Sequence, residues 1–146
     1  MKNNNLDAAL NNLLANYQIY YQNLRGFHWN VTGINFFGLH EKFEELYLEA
    51  AETIDEIAER ILAIGGKPLH TFEGYLNNAS IKSASNVVKG EETVKITLEN
   101  SKVLLDQLNS LLHLASETND EGTVAMVSEL ISVTEKRNWM LTAFLG

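Results

Sequence analysis

The sequence contains no cysteine and only one proline among its 146 residues. The absence of cysteine excludes disulfides, thiol catalysis and zinc sites built on thiolates. Hydrophobic residues make up 45% of the chain but never form a long uninterrupted run, which favours a globular, helical protein without a membrane-spanning segment. The length is typical of one domain, and we expect residues 1–146 to form it.

Basic residues are also few. The chain has 11 lysines and arginines against 19 aspartates and glutamates, which gives a formal net charge of −8. This balance disfavours a nucleic-acid-binding surface and favours cations as partners. The N-terminus, from Met1 to Leu6, lacks the basic start and the apolar stretch of a signal peptide, so we expect a cytoplasmic protein.

Apolar residues recur at helical spacing in four long segments. These segments are Leu6 to Val31, Leu39 to Ile64, Val94 to Ala115 and Val124 to Leu141. In the third segment, the spacing predicts that Leu105 and Leu112 face the core. Gly33 and the stretch 35–38 separate the first two helices, and Gly65 ends the second. A long connection follows, in which residues 72–76 predict a short helix. This pattern indicates the all-α class and matches a ferritin-like four-helix bundle with one long crossover.

The second helix carries metal-ligand residues beside its apolar stripe. His28 and His40 are followed by Glu44 and then by the pair Asp55 and Glu59. Residues four apart share a helix face, so His40 and Glu44 converge on one point, and the pair converges on another. The eleven residues from Glu44 to Asp55 span about 16 Å of helix at ~1.5 Å per residue, far beyond a metal–ligand bond of ~2 Å. The pattern therefore predicts two half-sites, which a second subunit completes by packing antiparallel across a twofold axis.

The types of donor atom indicate which metal ions could bind at these half-sites. Three carboxylates and two imidazoles suit Fe(II), although zinc or manganese could bind the same set. Taken alone, a histidine beside Trp29 is more often a packed residue than a ligand. His70 and His113 lack a partner at helical spacing, so we expect them to be structural.

Several stretches of the sequence resemble the Dps family of ferritin-like mini-ferritins. They are Phe27-His-Trp-Asn-Val-Thr-Gly33, Asn35-Phe-Phe-Gly-Leu-His-Glu-Lys-Phe43, Asp55-Glu-Ile-Ala-Glu-Arg-Ile-Leu-Ala-Ile-Gly-Gly66 and the ending Glu135 to Leu145. The resemblance implies a hollow dodecamer that oxidises Fe(II), preferably with hydrogen peroxide, and stores ferric mineral. It implies a two-iron ferroxidase centre between subunits, formed by His28, His40 and Glu44 of one subunit and by Asp55 and Glu59 of its neighbour.

The resemblance also bears on partners and on the entry of iron. Many members of the family bind DNA through a basic tail, whereas here only Lys2 precedes the first helix, so we expect no DNA binding. The alternative function is a nucleoid-associated DNA-binding protein with a vestigial metal site. The family lines its threefold entry pores with acids near the start of the last helix. Asp120 and Glu121 lie there, either as pore acids or as ordinary turn residues.

We predict no plasmid binding by the iron-free protein at physiological salt and neutral pH. DNA affinity rests on several lysine or arginine contacts to phosphates, and this chain shows no basic cluster while each subunit has a charge of −8. An electrophoretic gel-shift assay measures the binding. A plasmid shift that survives chelation of divalent cations would contradict the prediction and favour the DNA-binding alternative.

Overall fold

The computed structural model describes residues 4–146, so Lys2 lies outside the described part. The helices are α1 (Asn4–Asn30), α2 (Phe36–Ala63), α3 (Phe72–Asn78), α4 (Gly90–Glu117) and α5 (Glu121–Leu145). Helix α1 packs against α2 and α4, and α4 packs against α5. The short α3 lies in the connection between α2 and α4 and packs on α1. This arrangement confirms the predicted all-α bundle with a long crossover that carries a short helix. None of the helices within residues 4–146 has an apolar stretch long enough to cross a membrane.

The turn between α1 and α2 is shorter than the sequence indicated. Helix α2 begins at Phe36, so the stretch 36–38, expected to break the helix, belongs to its first turn. Gly38 is tolerated there because the first turn of a helix depends little on intrahelical hydrogen bonds. Gly33 has a φ of 107°, a conformation that favours glycine, and it reverses the chain between the two helices. Only five residues, 31–35, therefore separate the end of α1 from the start of α2.

The buried stripes agree with the sequence pattern most closely in α1. Every apolar residue of the predicted stripe from Leu6 to Val31 is buried. In α4, Leu104 and Leu111 are buried together with Leu98 and Leu108, whereas Leu105 and Leu112, which the spacing assigned to the core, are half-buried. Helix α4 packs against both α1 and α5, which makes its buried face wide enough to include Leu104 and Leu111.

Two buried asparagines of α1 hold the crossover in place. The side-chain oxygen of Asn16 accepts hydrogen bonds from the backbone N–H groups of Ser80 and Ile81, at 2.8 and 2.9 Å. The Asn23 side chain accepts from the Ala84 N–H at 2.9 Å and donates to the Lys82 carbonyl at 3.0 Å. These bonds satisfy backbone groups in a segment that has no helix or strand to pair them.

The start of α5 is fixed by Asp120, whose carboxylate caps the helix by accepting a hydrogen bond from the Thr123 N–H at 3.1 Å. Arg60 of α2 donates to the same carboxylate at 2.7 Å and to the Thr123 hydroxyl at 3.0 Å. Gly122 makes room for this contact, since a Cβ there would lie 2.5 to 2.7 Å from the Arg60 guanidinium. Asp120 thus has a structural role in its own chain, while Glu121 is exposed. The role of Asp120 and Glu121 in guiding iron through an entry pore stays a prediction.

The same contacts shift the titration of Asp120. Partial burial by itself would raise the pKa of the Asp120 carboxyl, but the hydrogen bonds from Thr123 and the charge of Arg60 outweigh it and lower the pKa. A carboxyl whose pKa is lower in the folded state stabilises the fold when it is ionised. That stabilisation is complete above the usual value of 3.8 and is lost as the pH falls through the folded-state pKa.

We predict that Asp120→Ala lowers the free energy of unfolding by about 1 kcal/mol at pH 7, because it removes a helix cap and an ion pair. Thermal denaturation followed by circular dichroism measures the loss, which should shrink once the pH falls below 3.8. Asp106→Ala, at an exposed position of α4, is the matched control and should leave the melting temperature unchanged. An equal melting temperature for Asp120→Ala and the parent at pH 7 would contradict the structural role.

Candidate metal centre

Two histidines face each other where α1 ends and α2 begins. His28 lies in the last turn of α1, and His40 lies one turn into α2. Their imidazole rings stack, with centroids 3.9 Å apart and planes inclined by 12°. The Nδ1 atom of His28 lies 2.6 Å from the His40 carbonyl oxygen, and Nδ1 of His40 lies 2.8 Å from the His28 carbonyl oxygen. The short turn between the helices makes this reciprocal pairing possible.

The reciprocal contacts determine which nitrogen carries the proton. A carbonyl oxygen only accepts hydrogen bonds, so Nδ1 of each histidine must donate. In a neutral imidazole, the other nitrogen, Nε2, then keeps its lone pair and is available to a metal ion. Metal-binding histidines commonly use their second nitrogen in this way, with a backbone carbonyl fixing the ring. The backbone of each helix therefore fixes the histidine of the other helix with its Nε2 free to accept a metal ion.

Glu44 adds a carboxylate to the histidine pair. It lies one helical turn after His40, and its Oε1 is 3.7 Å from Nε2 of His28. The His28 side chain is only 8% exposed, whereas that of Glu44 is 53% exposed. A buried imidazole and a solvent-accessible carboxylate thus meet at the protein surface.

Aromatic rings enclose the two imidazoles. Phe36 stacks on His40 with ring centroids 5.1 Å apart, and Tyr47 contacts His28 edge-on at 5.4 Å. These contacts restrict the rotation of the imidazoles and hold the ring planes in place. Phe36 was not among the predicted site residues, although its position four residues before His40 places both on one face of α2.

The structure does not bring Asp55 and Glu59 to the histidines. Both acids are exposed, one helical turn apart, on the same uninterrupted helix α2 that carries His40 and Glu44. Among residues 4–146, no three histidine, aspartate or glutamate side chains of one chain are grouped to hold a metal ion. Within a chain, the predicted residues therefore lie in two separate places, with His28, His40 and Glu44 where α1 ends and α2 begins and Asp55 and Glu59 further along α2, and neither set by itself encloses a metal ion.

The remaining histidines lie outside both sets. His70 is in the crossover and His113 is on α4, and both are exposed. The Nδ1 atom of His70 lies 3.2 Å from the Pro68 carbonyl, a local contact within the connection.

Comparison with known proteins extends over nearly the whole chain. Residues 7–146 match the ferritin-like domain family. The chain is 43% identical to general stress protein 20U of Bacillus subtilis over 141 residues, which are 97% of both proteins. It is 45% identical to the DNA protection during starvation protein of Brevibacillus brevis over 138 residues, which are 94% of this chain and 93% of that protein.

Solved structures agree with the bundle. The crystal structure of a Dps protein from Vibrio cholerae O1, which belongs to a superfamily of ferritin-like diiron-carboxylate proteins, superposes with a TM-score of 0.96 at 48% identity. The match covers 97% of this chain and 89% of that one. A Dps protein from Bacillus brevis gives a TM-score of 0.96 at 42% identity, with both chains fully covered.

We predict that His28 and His40 both carry their proton on Nδ1 in the neutral, metal-free protein, because each Nδ1 faces a carbonyl oxygen. Solid-state ¹⁵N NMR of protein labelled at histidine nitrogens measures the tautomer. The His28→Gln and His40→Gln variants assign the two signals, and His113→Gln removes that of an exposed histidine. A proton on Nε2 of either His28 or His40 would show that the reciprocal pairing is not formed.

Proposed function

Because the chain belongs to the Dps family of ferritin-like proteins, we propose that it oxidises Fe(II) and stores the ferric product, protecting the cytoplasm from oxidative damage. One observation carries this proposal. The reciprocal hydrogen bonds of His28 and His40 leave both Nε2 lone pairs free, and Nε2 of His28 lies 3.7 Å from the Glu44 carboxylate. Mixed nitrogen and oxygen donors with space for water and oxidant are typical of non-haem iron sites.

We further propose that a second subunit completes the centre with Asp55 and Glu59. Helix α2 is continuous from Phe36 to Ala63, so a twofold axis near residues 49–50 places the two sets of neighbouring subunits side by side. Exposed apolar side chains lie in the sequence near the histidine pair and near Asp55 and Glu59. Trp29, beside His28, is 56% exposed, and Leu62, three residues after Glu59, is 59% exposed. Large apolar side chains next to each half-site support a surface that a partner covers. The dimers would assemble into the hollow dodecamer.

The proposed reaction follows from electron counting. Two Fe(II) ions supply two electrons to one hydrogen peroxide, which takes up two protons and leaves as two water molecules. A single Fe(II) supplies one electron and releases a hydroxyl radical and a hydroxide. A centre that pairs two ions therefore removes both iron and peroxide without producing the radical. The carboxylates of Glu44, Asp55 and Glu59 would stabilise the Fe(III) charge, and the imidazoles would fix the geometry. Zinc or manganese would compete for the same donors.

Relatives named for DNA protection raise the alternative that the chain protects DNA by binding it. The net charge of −8 argues for protection through iron instead, since a negatively charged assembly repels phosphates. We propose that DNA is protected because Fe(II) and peroxide are consumed before they react near it.

We predict that His40→Ala and Asp55→Ala each slow peroxide-driven Fe(II) oxidation by ~10-fold or more, because each removes a ligand. Stopped-flow absorbance of the ferric product measures the rate. Both residues lie outside the buried core, so circular dichroism should show a folded bundle. His113→Ala and Asp106→Ala are matched controls at exposed positions and should oxidise iron at the parental rate.

The two-subunit geometry is tested by mixing these variants in one assembly. Co-assembled His40→Ala and Asp55→Ala chains should regain part of the activity, because some centres then combine the intact half of each chain. Mass spectrometry verifies that the assemblies are mixed. Verified mixed assemblies with no gain over the single variants would overturn the shared centre, and parental rates in both single variants would place iron oxidation elsewhere.

A further inference from the structure

Arg25 lies half-buried on the surface of α1, between two aromatic rings. Its guanidinium carbon lies 5.3 Å from the centre of the Tyr21 ring and 5.0 Å from that of the Trp29 ring. Its Nη1 donates a hydrogen bond to the Gln22 side chain at 3.4 Å. Within residues 4–146, no carboxylate lies at ion-pair distance from Arg25. A guanidinium carries several further N–H donors, so this side chain can bind an acid from outside its own chain.

Ring contacts connect Arg25 to the histidine pair. The Tyr21 ring contacts that of Tyr47, with centroids 6.1 Å apart, and Tyr47 contacts His28 at 5.4 Å. Arg25 also precedes His28 by three residues, so the two are neighbours on one side of α1. These contacts place Arg25 at the margin of the candidate metal centre.

The antiparallel pair of α1 and α2 keeps one register over this stretch. Seven residues before the stacked histidine of α1, Tyr21 contacts Tyr47, which lies seven residues after the stacked histidine of α2. In this register, Arg25 lies level with residues 43–44 of α2. The guanidinium is therefore at the same height along the bundle as the Glu44 carboxylate.

The twofold axis proposed above, near residues 49–50, brings an acid of the partner to the same height. Glu44 and Asp55 lie equally far from this axis along α2, so antiparallel packing places the partner's Asp55 opposite Glu44. The two acids also share one face of α2, because eleven residues are close to three turns at ~3.6 residues per turn. Glu56, the next residue, is rotated from that face by ~100°. The partner's Asp55 is therefore the acid that this packing brings towards Arg25.

We propose that Arg25 forms an ion pair with the partner's Asp55 and thereby holds this carboxylate in position at the metal-free centre. This inference rests on the shared centre proposed above. The carboxylates of Glu44 and of the partner's Asp55 and Glu59 would meet there, and like charges at short range repel each other unless a cation lies between them. A guanidinium suits a carboxylate because it can donate two parallel hydrogen bonds. Arg25 is thus a positioning residue, which acts through Asp55 and does not bind iron itself.

A double-mutant cycle on the metal-free protein tests the ion pair. Analytical ultracentrifugation of the chelator-treated assembly, over a dilution series, gives the concentration at which half of the chains have dissociated. We expect Arg25→Gln and Asp55→Asn each to raise this concentration about tenfold, since each twofold dimer contains two copies of the pair. The double variant should dissociate like either single variant, because the second substitution finds the ion pair already broken.

Further variants separate the charge of Arg25 from its packing. Arg25→Lys keeps the charge and should recover most of the association that Arg25→Gln loses. Zinc binds carboxylates without redox chemistry, so adding it should return Arg25→Gln to the parental association, whereas Asp55→Asn, which lacks a ligand, should respond less. Glu56→Gln, at an exposed position on another face of α2, is the matched control, and its effect should add to that of Arg25→Gln. Circular dichroism verifies that each variant is folded.

Additive effects of Arg25→Gln and Asp55→Asn, or unchanged dissociation in both, would overturn the ion pair. Equal losses in Arg25→Lys and Arg25→Gln, or no recovery with zinc, would assign the effect to packing and overturn it as well. The mixed assemblies of His40→Ala and Asp55→Ala chains then show which proposal has failed. If they regain iron oxidation while the cycle is additive, the shared centre stands and only the role of Arg25 is lost. If they regain none, the shared centre fails and the inference about Arg25 fails with it.

Discussion

The reciprocal hydrogen bonds between His28 and His40 are the constraint on which the candidate centre depends. They connect the last turn of α1 to the second turn of α2 and leave little freedom in the angle between these helices. The same two bonds hold both imidazoles in one tautomer, so the pairing that positions the helices also prepares the ligands. One contact thus restricts the angle between α1 and α2 and also leaves the Nε2 atoms free for a metal ion. Phe36 and Tyr47 then keep the ring planes from rotating.

The continuity of α2 explains how one chain presents two incomplete sets of donors. A continuous helix separates the two sets by a distance that no side chain can span, so one chain cannot bring them together. In the proposed assembly, a free subunit would lack a complete centre. Oxidation of iron would then be confined to assembled protein, where the ferric product can be enclosed.

Much of the fold was predictable because helical periodicity is a local property of the sequence. The α1 stripe, the continuous α2 and the short helix of the crossover all follow from spacing. The features that could not be predicted depend on contacts between residues that are far apart in the sequence. The burial of Leu104 in place of Leu105 reflects packing against two helices, and the ion pair of Asp120 involves Arg60 from 60 residues away. For the site, the spacing identified the ligand types, but the backbone carbonyls that orient the histidines are the same in every residue and carry no sequence signal.

The hydrogen bonds from Asn16 and Asn23 to the crossover bear on the order in which the segments fold. The α1–α2 and α4–α5 pairs are neighbours in sequence, so each hairpin closes a short loop and can form early. The crossover has the short α3 as regular structure, and after α3 the backbone groups of Ser80, Ile81, Lys82 and Ala84 find partners on the surface of α1. Docking of this segment is therefore a late event, and local opening of the native protein should begin there, while the α1–α2 hairpin that carries the candidate metal ligands stays closed.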